Sequence, residues 1–121
     1  MNMIYDNMIY DRVGDDLVDV HYKPDKAELF RAIAEEMHNM YCEKNTAYGD
    51  SFGASYEKYG AMSALTRISD KFNRYENIVL NSADTNDEPL RDTLMDMASY
   101  CVMTLIEMDR EACRNENASN D

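Results

Sequence analysis

Positive charge is scarce in this chain, with 12 Lys and Arg against 24 Asp and Glu and a formal net charge of −12 at pH 7. Such a field repels nucleic-acid backbones and anionic lipid, which argues against direct DNA or RNA binding and against a membrane surface. Free nucleotides remain admissible where metal ions neutralise both carboxylates and phosphates. Histidine is limited to His21 and His38, and the three cysteines, Cys42, Cys101 and Cys113, form no CxxC pair. A zinc site of the usual kind is therefore not expected. Cys42 and Cys101 lie beside apolar neighbours in helical segments, which predicts reduced, buried thiols and suits a reducing cytosol. With only four glycines there is no Walker phosphate loop, and GxSxG and HExxH are also missing, which sets aside several large enzyme classes. No segment approaches the roughly 20 apolar residues of a membrane span, and the N-terminus lacks a basic region followed by an apolar one. The expectation is a soluble, cytoplasmic protein without a membrane partner.

At 121 residues, 45% of them hydrophobic and 10% aromatic, the chain reads as one folded domain with a modest core. Residues 2–6, Asn-Met-Ile-Tyr-Asp, are repeated at once as residues 7–11. Two such copies are too few for a solenoid, and a local duplication is the simpler reading. The segment through Tyr22 could pair as a short hairpin, lie across the helices as an arm, or stay loose. Residues 18–22 alternate weakly, as a strand would.

Helical signals follow. Pro24, Asp25 and Glu28 resemble a capping box. Leu29, Phe30, Ile33, Met37, Met40 and Tyr41 then recur at helical spacing to about Lys44, with Glu35, Glu36, Asn39 and Glu43 on the other face. Gly49 and Gly53 predict a loop over residues 45–55. A second helix is predicted over 56–80 with a break near Gly60. Its apolar stripe is Met62, Leu65, Ile68, Phe72, Tyr75, Ile78 and Val79. A third begins at Asp87-Glu88-Pro89, where acids suit the dipole and proline loses nothing, and runs to about Cys113. Its core stripe is Leu90, Leu94, Met97, Ala98, Cys101, Leu105 and Met108. The fold class is thus all-α, an antiparallel bundle of three long helices plus a short element. Residues 1–24 form an extension, 25–113 the helical domain and 114–121 a frayed tail. Three helices with wide apolar faces and ten methionines cannot cover themselves in one layer. That predicts a homo-oligomer, a dimer or a tetramer.

Two polar lines carry the candidate chemistry. Asp92 and Asp96 stand at i, i+4, so their carboxylates project one turn apart. Like charges at that spacing cost a few tenths of a kcal/mol, and aspartate is a poor helix former. A magnesium site would justify both costs, because that ion takes one or two carboxylates plus substrate phosphates. A solvated face near a helix start explains Asp92 equally well but Asp96 less well. Asp70 stands among Arg67, Lys71 and Arg74, either as a surface ion-pair lattice or as a ligand-orienting group whose neighbours Lys71 and Arg74 hold phosphate oxygens. Glu35 and Glu36 could complete a carboxylate cluster. Tyr48, Tyr59 and Tyr100 could stack on a base or serve as core.

Three stretches then resemble a known family: Lys44-Asn45-Thr46-Ala47-Tyr48-Gly49, Arg67-Ile68-Ser69-Asp70-Lys71-Phe72-Asn73-Arg74, and Asp92-Thr93-Leu94-Met95-Asp96-Met97-Ala98-Ser99-Tyr100. Their order and spacing resemble the nucleotide modification associated domain 1 family of phages and bacteria, over about residues 28–110. That family looks related to the MazG-like all-α nucleoside triphosphate pyrophosphohydrolases. The resemblance implies an NTP or dNTP as partner, Mg2+ as cofactor, release of pyrophosphate, a nucleotide-pool or base-modification role, and a bacterial or phage-infected cytoplasm. It implies metal ligands among Glu35, Glu36, Asp70, Asp92 and Asp96, and catalytic roles for Asp70, Lys71 and Arg74. Substrate contacts would come from Lys44, Asn45, Tyr48, Arg67, Lys71, Arg74 and Tyr100. Asp96 matches the aspartate of the family relatives' ExxD motif, with Thr93 in the place of its glutamate, and Asp92 could substitute. No ExxE stands on the first helix, and Ala47 replaces the aspartate that usually precedes Tyr-Gly. A nucleotide-binding or sequestering protein without turnover is the alternative.

Overall fold

The computed structural model describes residues 12–13, 16–17, 23–81 and 89–119. The duplicated residues 2–11, the alternating stretch 18–22 and the acidic pair Asp87-Glu88 lie outside the described residues. The chain divides into two compact units, Met1–Asn39 and Met40–Asp121.

In the first unit, β1 (Arg12–Val13) and β2 (Asp16–Leu17) pair antiparallel, Arg12 opposite Leu17 and Val13 opposite Asp16. Of the three readings left open for the N-terminal segment, this part forms the hairpin. Helix α1 (Lys26–Tyr48) starts directly after Asp25, whose carbonyl accepts the Leu29 N–H at 3.0 Å. The capping signal in the sequence therefore marks a real helix start.

The second unit holds the last turns of α1 together with α2 (Ser51–Tyr59), α3 (Ala61–Asn81) and α4 (Leu90–Ser119). The predicted loop over 45–55 is corrected to a corner of two residues, Gly49 and Asp50, both left-handed with φ of 61° and 56°. Asp50 tolerates that conformation because its short side chain bonds locally. Its Oδ1 accepts the Gly53 N–H at 3.3 Å and caps α2. A side chain at position 53 would collide with that carboxylate. Gly53 is thus a helical residue rather than the loop marker the sequence suggested.

The predicted break near Gly60 is present. Gly60 adopts φ 71°, ψ −155°, its N–H bonds the Tyr56 carbonyl at 2.6 Å, and its own carbonyl accepts from the Ser63 N–H at 3.1 Å and hydroxyl at 2.9 Å. Helix α4 continues past the expected end at Cys113 to Ser119, so residues 114–119 extend the helix. Arg114 of this last stretch lies 3.7 Å from Glu57 of α2.

Helices α3 and α4 run antiparallel, since Lys71 meets Asp96 while Arg67, one turn earlier, meets Tyr100, one turn later. Which faces meet is the main surprise. On α4 the inward line is Thr93, Asp96, Tyr100, Met103 and Glu107, spaced at 3-4-3-4, with Thr93 fully buried and Glu107 nearly so. The predicted core residues Leu90, Leu94, Ala98, Cys101, Leu105 and Met108 are exposed. On α3 the inward line is Ala64, Ile68, Lys71, Tyr75 and Ile78, while Met62, Leu65, Phe72 and Val79 are exposed. The reason is which side chains the helix contact takes up: polar residues that line a pocket occupy the inward line of α4, the apolar stripe beside it is left outside, and Met95 is buried away from that line. Cys42, Cys101 and Cys113 are likewise exposed, contrary to the buried thiols expected at the first two. The buried apolar residues are Phe52, Ala64 and Met95.

Gly60 occupies backbone space that is essentially glycine-only, so Gly60→Ala is expected to destabilise the fold by about 1–3 kcal/mol. Thermal unfolding of the variant tests this; an unchanged melting temperature would show that the α2–α3 corner is not locked by that conformation.

Candidate functional site

A cavity of about 340 Å³ opens in the second unit. Its walls come from the end of α1 (Met40, Tyr41, Lys44, Asn45, Tyr48), the start of α2 (Ser51, Phe52), α3 (Arg67) and α4 (Asp96, Ser99, Tyr100, Met103). The left-handed corner at Gly49 and Asp50 turns the chain from α1 into α2 and places Phe52 within the wall.

Asp96 is the polar centre of the cavity. One carboxylate oxygen lies 3.0 Å from Lys71 Nζ and the other 3.8 Å from Lys44 Nζ. Asp96 and Lys71 are mostly covered, their side chains 26% and 20% exposed, whereas Lys44 reaches in from a more open position. Two ammonium groups thus share one carboxylate, a local two-to-one excess of cations in a strongly acidic chain. An aromatic wall adjoins it. The rings of Phe52 and Tyr100 stack at 5.9 Å and 15°, and the Arg67 guanidinium lies 5.9 Å from the Tyr100 ring centre. Aromatic faces with a cation held against them form a surface suited to a planar, electron-rich group.

Of the residues named from sequence, Lys44, Asn45, Tyr48, Arg67, Asp96 and Tyr100 line this one cavity, and Lys71 reaches it through Asp96. Arg74 is half-buried on α3 one turn beyond Lys71, and Asp70 is exposed beside it. Asp92 is exposed one turn before Asp96. Glu35, exposed, and Glu36, half-buried, lie on the part of α1 that belongs to the first unit. Thr93, which stands where a second motif carboxylate would be, is fully buried with its hydroxyl 3.5 Å from the Pro89 carbonyl. Among the described residues, no three His, Cys, Asp or Glu side chains come together as a group that could hold a metal ion. Sequence reasoning missed Ser51 and Phe52, which it placed in a loop, and read Met40 and Tyr41 only as core. The Asp50-x-x-Gly53 pattern, a cap three residues ahead of a helical glycine, was the available signal.

The phenol of Tyr41, on the cavity wall, has a perturbed titration. Burial pushes its phenol above the ordinary 10.0, the nearby Asp50, Glu107 and Cys42 push it further, and Arg110 opposes them. A neutral tyrosine hydroxyl is therefore held at the cavity wall, beside the capping aspartate of α2.

Residues 44–108 match the nucleotide modification associated domain 1 family, and the chain belongs to that family. The matched span begins at Lys44 and contains Lys71, Asp96 and Tyr100, so the family region and the cavity largely coincide. No curated protein and no solved structure matches the chain. Among the described residues, no helix is long and apolar enough to cross a membrane.

The raised Tyr41 value fixes the sign of an alkaline effect. The unfolded chain loses this proton first, so the contribution is complete below pH 10.0 and is lost as pH rises through the higher folded value. Stability measured by denaturant at a series of alkaline pH values should fall less steeply above that point for Tyr41→Phe than for the parent. Identical slopes would mean that Tyr41 is not held in this environment.

Proposed function

We propose that the cavity binds a nucleotide, its phosphates held by Lys44, Lys71 and Arg67 and its base or sugar laid against the wall formed by Tyr100 and Phe52. The observation that carries this reading is the Lys44–Asp96–Lys71 arrangement, with both ammonium groups on one carboxylate at 3.8 and 3.0 Å. A phosphate chain offers several anionic oxygens to the same donors, and charge-assisted bonds of this kind are among the strongest in proteins. Asp96 keeps the two lysines converged while the site is free of phosphate, and becomes their competitor when phosphate arrives. Asn45 and Ser99 supply neutral donors and acceptors on the same wall. The family's association with nucleotide modification supports a nucleotide over another phosphorylated ligand.

The second reading is magnesium-dependent pyrophosphohydrolysis of an NTP or dNTP, as in the MazG-like enzymes that the sequence resembles. It is favoured by Asp96 in the cavity wall with Asp92 one turn away on the same helix. These two carboxylates fit an ion that arrives with the triphosphate, since magnesium takes one or two protein carboxylates and completes its shell with phosphate oxygens and water. When bound, such an ion lowers the pKa of an attacking water and offsets charge developing on the phosphate. The chain's own part would be to bind and align. Lys71 and Arg74 would hold phosphate oxygens, Asp70 would orient them from the exposed edge of α3, and Tyr48 would close over the base. Glu35 and Glu36 have no part in this two-carboxylate arrangement.

The two readings give opposite results at one residue. If the site works by its cations, Asp96→Asn removes the competitor of the phosphates and tightens binding of a nucleoside triphosphate by about 3- to 10-fold, a surface-to-half-buried ion-pair effect. If it works through magnesium, the same change abolishes pyrophosphate release. In both, Lys71→Ala should weaken binding by about tenfold, the worth of one charge-assisted bond. Calorimetric titration and pyrophosphate release over a panel of ribo- and deoxynucleoside triphosphates read all three. Binding indifferent to Lys71→Ala would overturn the assignment of this cavity.

A further inference from the structure

The residues that point away from the cavity form a surface of their own. On α4, Leu94, Ala98, Cys101, Leu105 and Met108 are spaced 4-3-4-3 and all are exposed. This is the spacing of a helix seam, with 3.5 residues per repeat. On α3, Leu65, Phe72 and Val79 recur every seven residues and are 49–56% exposed. At about 100° per residue, each set lies roughly a third of a turn from its helix's inward line, in the same rotational sense. In an antiparallel pair, equal rotations in the same sense bring both sets to one side of the hairpin. Arg67 and Ser99 rotate the other way, to the side of the cavity. The α3–α4 hairpin therefore has two faces, one lining the cavity and one apolar and open.

We infer that the apolar face is the contact surface for a second copy of this chain, with α4 packed against α4 of the partner about a two-fold axis near Cys101. Area is the first argument. A typical monomer exposes an apolar patch of roughly 300–600 Å² at most, while half-exposed side chains of this size contribute on the order of 100 Å² each. The six larger side chains of the face, Leu65, Phe72, Val79, Leu94, Leu105 and Met108, 41–56% exposed, thus bring on the order of 600 Å², the larger part of the roughly 800 Å² per partner that a stable interface buries. Charge is the second. Residues 97–106 contain no Asp, Glu, Lys or Arg in a chain that is 30% charged, so the strip has nothing with which to recognise a charged partner and matches another strip like itself. Symmetry is the third. Leu94 and Met108 each lie seven residues from Cys101, and Ala98 and Leu105 lie three and four away. An antiparallel copy sets Leu94 near the partner strip's Met108 end, and the small Ala98 and Cys101 side chains let the helices approach closely. Self-complementarity of this sort is what an isologous interface requires.

Size-exclusion chromatography with light scattering on the full chain should give the mass of two chains at micromolar concentration. The mass should persist in high salt, which screens the repulsion between two acidic chains. Leu105→Glu should raise the dimer dissociation constant by about tenfold or more, since it sets a carboxylate in the apolar contact. Its helical circular dichroism should be unchanged. A Cys42→Ser, Cys113→Ser double variant keeps the seam intact and leaves Cys101 as the sole thiol; a short bismaleimide should join two such chains. A monomeric parent, dissociation by salt, a dimer indifferent to Leu105→Glu, or a dimer without the Cys101 crosslink would each overturn the inference.

Discussion

The antiparallel contact of α3 with α4, held in register by Lys71 on Asp96 and by Arg67 over Tyr100, is the constraint on which the second unit depends. Exposed ion pairs contribute little, but this one is mostly covered and sits where the two helices meet. It fixes which line of each helix faces inward. Once Thr93, Asp96, Tyr100 and Glu107 occupy that line, the apolar residues one step around the helix must face outward. The open apolar face and the polar cavity are therefore two results of one register. The corner at Gly49 and Asp50 adds the remaining wall by turning α2 so that Phe52 stacks on Tyr100.

Much of the helical content was legible because its signals are local. Asp25 and Pro89 mark helix starts, and Gly60 marks a break that the backbone confirms. The loop over 45–55 was misread because Gly49 and Gly53 carry the same composition signal for different reasons. One supplies a left-handed corner, while the other makes room for a capping carboxylate inside a helix. Periodicity located the apolar stripes on α3 and α4 correctly as stripes, but it cannot say what covers them. A polar line beside an apolar one looks like a solvated face in sequence, and here it lines a cavity. Lys44, Arg67, Lys71, Asp96 and Tyr100 stood out as charged or aromatic residues in motif order. Phe52 did not, because its role depends on the corner before it.

Asp96 concentrates the functional question. In an acidic chain, gathering Lys44, Lys71 and Arg67 around one cavity concentrates positive charge there, which an anionic ligand would feel against a repulsive background. The carboxylate at the centre of those cations can act as a spacer that keeps them converged, or as a ligand to an incoming magnesium ion. Full burial of Thr93 removes the neighbouring motif position from any such shell, which leaves Asp92 as the partner on the same helix. Both readings loosen the lysines' hold on Asp96. The cationic reading needs only side chains that already converge on the cavity, whereas the magnesium reading also needs Asp92, which is exposed on α4 and outside the cavity lining. On that ground the cation-held nucleotide is the simpler account.

The measurement that bears most directly on it is calorimetric titration of the full chain with a nucleoside triphosphate, first with a metal chelator present and then with excess magnesium. The account predicts saturable one-site binding in chelator, weakened by added salt as lysine–phosphate contacts should be. Binding that appears only when magnesium is present would contradict it.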